Sequence, residues 1–65
     1  MSFGANIKKF RESQGLSQNE LANKFNVTQP TVAMWETGAA MPRADKLPEL
    51  AKILECDVSD LFEKE

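Results

Sequence analysis

SQNELANKFNVTQPTVAMWETG, running from Ser17 to Gly38, holds two short helical patterns on either side of a three-residue turn. Ser17 and Glu20 have the Ser-x-x-Glu spacing in which each side chain satisfies a free N–H at a helix start. Leu21, Ala22 and Phe25 then fall on one face. Asn26, a residue that tolerates left-handed backbone, ends that helix at Phe25. Thr28 stands where it can cap a second helix, whose inner stripe is Val32 and Trp35. Pro30 is harmless within a first turn, and Gly38 sits where a C-terminal cap needs positive φ. Ala22 is small where the two helices must cross closely.

The same signals extend outward. A first helix is expected from about Ser2 or Ala5 to Gln14, with Ile7 and Phe10 inward and Gly15-Leu16 as its stop; Leu16 also precedes the Ser17 cap as a hydrophobic staple. After Gly38 the segment AAMPRAD has little periodicity. Leu47, Leu50, Ala51 and Leu54 then recur at i, i+3, i+4, i+7 as a fourth helix, with Asp45 as its expected cap and Pro48 in its first turn. Asp57 and Asp60 bracket a last short helix carrying Leu61 and Phe62. No segment alternates with period two, so no strand is expected. The reading is one all-α domain over residues 1–65 with Ile7, Phe10, Leu21, Phe25, Val27, Val32, Trp35, Leu47, Leu50 and Leu54 in its core.

Sixty-five residues make one small domain, and a chain of this size buries only roughly 60% of the surface its unfolded form exposes. An enzyme cleft with a second domain does not fit. No apolar run approaches the ~20 residues needed to span a bilayer, so no membrane segment is expected. The opening MSFGANIKKF lacks the apolar core and cleavage site of a secretory signal, and a single cysteine cannot form an internal disulfide; both point to the cytoplasm. The chain has no histidine and no tyrosine, which leaves no nucleophile constellation or metal-ligand cluster. No catalytic residue, cofactor or metal is expected.

The net charge of −2 and pI near 5.1 run against the basic balance usual in nucleic-acid proteins. The charge is unevenly distributed, however: residues 1–46 carry a net +2 and residues 47–65 a net −4. Binding depends on the local potential, and helix N-termini can hold anions without formal charge.

The Ser17 to Gly38 segment closely resembles the helix-turn-helix of the phage repressor and Cro family, also called Xre-like regulators. The resemblance rests on Gln18, Glu20-Leu21-Ala22, Asn26-Val27-Thr28-Gln29, Val32, Trp35-Glu36 and Gly38 in order and spacing. Arg11, Gly15-Leu16-Ser17, Pro42, Leu47, Leu50-Ala51, Leu54 and Asp57 to Leu61 look like the remainder of that domain. It implies a compact five-helix, lambda-repressor-like fold whose helices 2 and 3 form the motif. It also implies sequence-specific binding of double-stranded DNA by a transcriptional regulator, usually a repressor, with helix 3 (about residues 28–37) in the major groove. The family usually binds as a homodimer on a partly palindromic site.

With Val32 and Trp35 facing the core, Gln29, Pro30, Ala33 and Met34 occupy the opposite, uncharged face. Gln29 is the best base reader, because a glutamine amide can both donate to and accept from adenine; outside such a motif it would read as a solvated residue. Pro30 and Met34 could offer apolar contact to a thymine methyl. The resemblance further implies that Gln18 holds a phosphate and braces Gln29, and that Arg11 and Glu36 form an ion pair linking helix 1 to the end of helix 3. Thr28, Thr31, Thr37 and Arg43 are phosphate-contact candidates, with helix capping as the alternative for the threonines. Three departures from the family pattern stand out. Pro30 replaces what is often a polar base-contacting residue, Glu55 stands at a helix terminus where glycine is common, and Cys56 takes an apolar position and reads as packing. Two other readings keep the fold: a protein-interaction module, favoured by the acidic pI and uncharged face, and an antitoxin. The only spare apolar surface for dimerisation is expected at Leu61 and Phe62, or at Phe3.

Overall fold

Ser2 adopts extended backbone and accepts the Ala5 N–H on its hydroxyl at 3.2 Å, which starts the first helix, α1 (Phe3–Ser13). The computed structural model describes residues 2–63; Met1, Lys64 and Glu65, part of the expected 1–65 domain, lie outside them. The helices that follow are α2 (Gln18–Phe25), α3 (Gln29–Thr37), α4 (Leu47–Ile53) and α5 (Val58–Leu61), with a 3-10 turn, Ala44–Lys46, leading into α4. No strand occurs among the described residues. Ser17 and Glu20 make the expected reciprocal cap of α2: the Glu20 N–H donates to Ser17 Oγ at 3.0 Å and the Ser17 N–H to Glu20 Oε1 at 2.8 Å. Hydrogen bonding from the Ser17 main chain and side chain holds the Glu20 carboxyl below its ordinary range.

Three helices stop in the same way. The N–H groups of Leu16, Val27 and Cys56 reach back to the carbonyls of Arg11, Ala22 and Ala51 at 3.1, 2.9 and 2.9 Å. In each case the preceding residue is left-handed: Gly15, Asn26 and Glu55, at φ of 70°, 60° and 57°. This satisfies carbonyls that a helix end leaves open. At Glu55, which has neither glycine's freedom nor asparagine's tolerance of this conformation, it stores backbone strain.

Ile7, Leu21, Ala22, Phe25, Val32, Trp35, Leu50, Ala51, Leu54 and Leu61 form the core. Trp35 meets Phe25 edge to face, with ring centroids 5.4 Å apart, a favoured aromatic geometry. Phe10, Val27 and Leu47, expected inside, are only half-buried. Leu61 is fully buried and so offers no spare apolar surface, whereas Phe62, just beyond α5, is 48% exposed and lies against Phe3 with centroids 4.9 Å apart. Cys56 packs half-buried against the core; burial pushes its thiol pKa up, and the Asp60 and Asp57 carboxylates add to the effect.

Asp45 does not cap α4. The chain begins to wind at Ala44, after an extended Arg43, and Lys46, the residue before α4, already has helical backbone rather than the extended form a capping side chain needs. Asp45 instead sits inside the 3-10 turn and approaches Arg43 at 3.3 Å. Pro48 does fall in the first turn of α4.

Two packing devices went unanticipated. Gly4 presses against the end of α3, where a Cβ would stand 2.5 Å from the carbonyl oxygens of Trp35 and Glu36. Asn6 is buried in α1 and donates both side-chain N–H groups, to the carbonyls of Leu61 and Glu63, each at 2.9 Å. A helix as short as α5 has little stability of its own. Asn6 and the burial of Leu61 hold it in place.

Candidate nucleic-acid interface

The stop at Asn26 and the start at Gln29 aim the beginnings of α2 and α3 at the same side of the molecule. Gln29 Nε2 donates to Gln18 Oε1 at 2.8 Å, so the pair implied by the resemblance is present in the geometry. Gln18 Nε2 in turn donates to Glu36 Oε1 at 3.0 Å, which the sequence did not disclose.

Glu36 is where two halves of a network meet. Arg11 Nε donates to Glu36 Oε2 at 2.6 Å and Arg11 Nη2 to Glu36 Oε1 at 3.2 Å, a two-pronged pair with a planar fork on a carboxylate. Arg11 Nη1 donates to the Leu16 carbonyl at 2.7 Å. Side-chain exposure is only 10% for Arg11 and 5% for Glu36, so this is not a solvated surface pair. The hydrogen bond to Glu36, opposed in part by burial, raises the arginine pKa further above its already high ordinary value. A continuous chain therefore runs from the Leu16 carbonyl in the turn between α1 and α2, through Arg11, Glu36 and Gln18, to Gln29 on the first turn of α3.

Around Gln29 the surface has the expected character. Pro30 is exposed, Met34 is 42% exposed, and Ala33 is half-buried. The threonines are less available than expected. Thr28 has the extended backbone of a cap but makes no side-chain cap bond. The next residues explain this: Pro30 has no N–H, and the Thr31 N–H already donates to the Thr28 carbonyl at 3.0 Å. The Thr28 and Thr31 hydroxyls pair with one another at 2.9 Å instead. Thr37 Oγ1 donates to the Met34 carbonyl at 3.2 Å, the capping alternative. Gly38 closes α3 at φ 86° as expected. Arg43 lies on the loop after α3 with a largely exposed side chain, and an ion pair to Asp45 as open to water as this is worth about 0–1 kcal/mol. It can let go of Asp45 for a stronger anion at little cost.

Among the described residues, no group of three metal-ligating side chains comes together, and no helix is long and apolar enough to cross a membrane.

Comparison with known proteins agrees with this geometry. A helix-turn-helix family model matches residues 7–61. An uncharacterized HTH-type transcriptional regulator of Archaeoglobus fulgidus is 32% identical over 56 residues, 86% of this chain and 80% of that protein. The uncharacterized HTH-type regulator YqaE of Bacillus subtilis is 30% identical over 63 residues, 97% of this chain and 54% of the relative. The chain thus spans about half of YqaE, and about a third of the HTH-type activator BcrR of Enterococcus faecalis, which it matches at 25% identity over its whole length.

Among solved structures, the P22 c2 repressor bound to a synthetic operator superposes with a TM-score of 0.89 over 100% of this chain and 98% of that one. At 23% identity this is a likeness of fold. SinR, solved in complex with DNA, superposes with a TM-score of 0.81 at 28% identity, covering 91% of this chain and 95% of its own. Hydroxypropylphosphonic acid epoxidase from S. wedmorenis carries the same fold over 32% of its length, with a TM-score of 0.86 at 27% identity over 94% of this chain. With its capped α2, left-handed turn and Gln18–Gln29 pair all inside the matched residues, the chain belongs to the helix-turn-helix family of Xre and Cro type.

Proposed function

We propose that this chain, as a single helix-turn-helix domain over residues 1–65, binds double-stranded DNA sequence-specifically and regulates transcription, as a repressor. The observation that carries this reading is the Gln29–Gln18 hydrogen bond, which displays an oriented amide on the exposed first turn of α3. An amide of this kind matches the paired donor and acceptor of adenine in the major groove. Pro30, Ala33 and Met34 would offer the apolar part of that surface. Gln18, Thr28, Thr31, Thr37 and Arg43 would meet the sugar-phosphate backbone on either side. The operator-bound P22 c2 repressor and DNA-bound SinR, which share the fold, support this assignment. The chain acts by binding and not by catalysis, in the cytoplasm where the DNA is, and pairs as a homodimer on a partly palindromic site.

Selection of bound sites from random duplexes at low salt tests the reading. Enrichment of one sequence, with a two-fold repeat if the protein pairs, is the expected result; retention of no duplex above background at ~50 mM salt, where phosphate contacts are strongest, would end it.

One observation favours a second reading, a protein-interaction module. A groove of about 460 Å³ beside the α2–α3 turn is lined by Phe25, Val27, Trp35, Met41 and Pro42, and Met41 is 55% exposed. Failure of the selection experiment would shift attention to this groove.

A further inference from the structure

We infer that Glu36, although it touches no base, sets which base Gln29 prefers by fixing the direction of a relay of side-chain amides. The inference rests on the DNA-binding reading above.

The argument is one of donors and acceptors. An arginine side chain can only donate, and an ionised carboxylate can only accept. Arg11 holds Glu36 in place from one side with two N–H groups. Glu36 therefore offers Gln18 nothing but an acceptor, and Gln18 must turn its NH2 toward it, at 3.0 Å. That leaves the Gln18 carbonyl oxygen facing Gln29. Gln29 must then turn its own NH2 toward Gln18, at 2.8 Å. Neither amide is free to flip, because each reversed orientation sets two acceptors or two donors against each other.

The outcome at the exposed end is specific. Gln29 spends one N–H on Gln18 and keeps one N–H and its whole carbonyl oxygen. One donor beside one acceptor is the complement of adenine, which shows an N7 acceptor and an N6 donor in the major groove. Guanine shows two acceptors there, O6 and N7. If the relay ran the other way, Gln29 would accept from Gln18 with one lone pair and keep both N–H groups beside the other, so that guanine's two acceptors would be matched as well as adenine's pair and the preference would relax. Glu36 is thus a positioning residue for specificity, two hydrogen bonds from the DNA surface.

Glu36→Gln keeps the shape and removes the one-way constraint, since an amide can offer Gln18 either a donor or an acceptor. The base pair read by Gln29 is first located as the one whose preference disappears in Gln29→Ala. Dissociation constants are then measured for two duplexes differing only by A·T or G·C at that pair, for the wild-type chain and Glu36→Gln, below the melting temperature of both. The expected result is a loss of about fivefold or more in the A·T over G·C preference, with the salt dependence unchanged. Equal preference in both proteins overturns the inference while leaving the DNA-binding reading intact.

A second measurement needs neither DNA nor a variant. In the wild-type chain, nuclear Overhauser contacts should connect the Gln18 side-chain NH2 to the Glu36 side chain, and one Gln18 amide proton should exchange slowly with water. A Gln18 NH2 that instead faces Gln29 overturns the proposed direction outright.

Discussion

Gly4 of α1 lies so close to Glu36 of α3 that a methyl group on its Cα would stand 2.5 Å from the Glu36 carbonyl oxygen and 2.8 Å from the carbonyl carbon. The obstructing atoms are main chain and cannot step aside by changing rotamer. Gly4→Ala improves the intrinsic helix propensity of α1 by up to ~1 kcal/mol, yet it must push α1 away from α3. Overpacking of this kind costs about 1–3 kcal/mol, so a net loss of stability is expected, read as a lower thermal midpoint. An unchanged or raised midpoint would show that the helices can separate freely.

The Arg11–Glu36 pair is buried enough that removing one partner should cost about 3 kcal/mol, because it strands the other charge away from water. Arg11→Met should show this penalty in urea unfolding. Much of it should vanish in the Arg11→Met, Glu36→Met double variant. A double-mutant cycle without coupling energy would contradict the pairing.

Asn6→Leu should leave the Leu61 and Glu63 carbonyls without their partner, a loss of about 1–3 kcal/mol if they stay buried. The chain can relieve that cost by letting α5 detach. Amide exchange should therefore accelerate in Val58–Leu61 well before it does in α2 and α3. Uniform acceleration would mean that Asn6 supports the whole fold and not one helix.

Glu20 supplies a dependence on pH. Its folded carboxyl titrates below the ordinary 4.5, held there by hydrogen bonds from Ser17. The stabilisation is present above that ordinary value and disappears as pH falls through the lower, folded one. Wild-type stability should drop in that acid window, and Glu20→Gln should drop less, as followed by circular dichroism at graded pH. Parallel curves for the two proteins would place the acid sensitivity elsewhere.

On DNA, Gln29→Ala should cost roughly 1–3 kcal/mol on the preferred site and relax one base pair. Arg43→Ala should instead weaken every sequence alike. It should also flatten the slope of log K against log salt by about 0.9 for each phosphate contact removed. Titrations of both variants on preferred and random duplexes at several salt concentrations separate the two effects.

Local signals made the helices legible. Ser17 with Glu20, Asn26 and Gly38 act within a few residues of one another, and the structure has each of them in the expected conformation. Gly4 and Asn6 were illegible because their reasons lie in α3 and α5, far along the chain, and a glycine or asparagine in a helical run carries no mark of a distant backbone. Neighbours altered two caps: Thr28 holds the cap position of α3, but Pro30 and its own carbonyl left no N–H for its hydroxyl, and the 3-10 turn absorbed Asp45, which caps nothing. At the candidate site, Arg11 with Glu36 and Gln18 with Gln29 came from family resemblance, as separate pairs. Their union through Glu36 arises only in the fold, since a carboxylate on α3 can serve two helices at once only when both are docked.

Pro30 has one more effect, on what the start of α3 can hold. Of that helix's first three residues, Pro30 has no main-chain donor and Thr31 has committed its own to Thr28, so Gln29 alone has an N–H to offer. A helix end so poor in donors is a weak anchor for a phosphate. Adhesion would then fall to the start of α2, to the loop carrying Arg43 and to the threonine hydroxyls, while the other exposed side chains of α3 are left to discriminate. With that division of labour, Gln29, Pro30 and Met34 could be exchanged to address a new site without loosening the hold on the duplex.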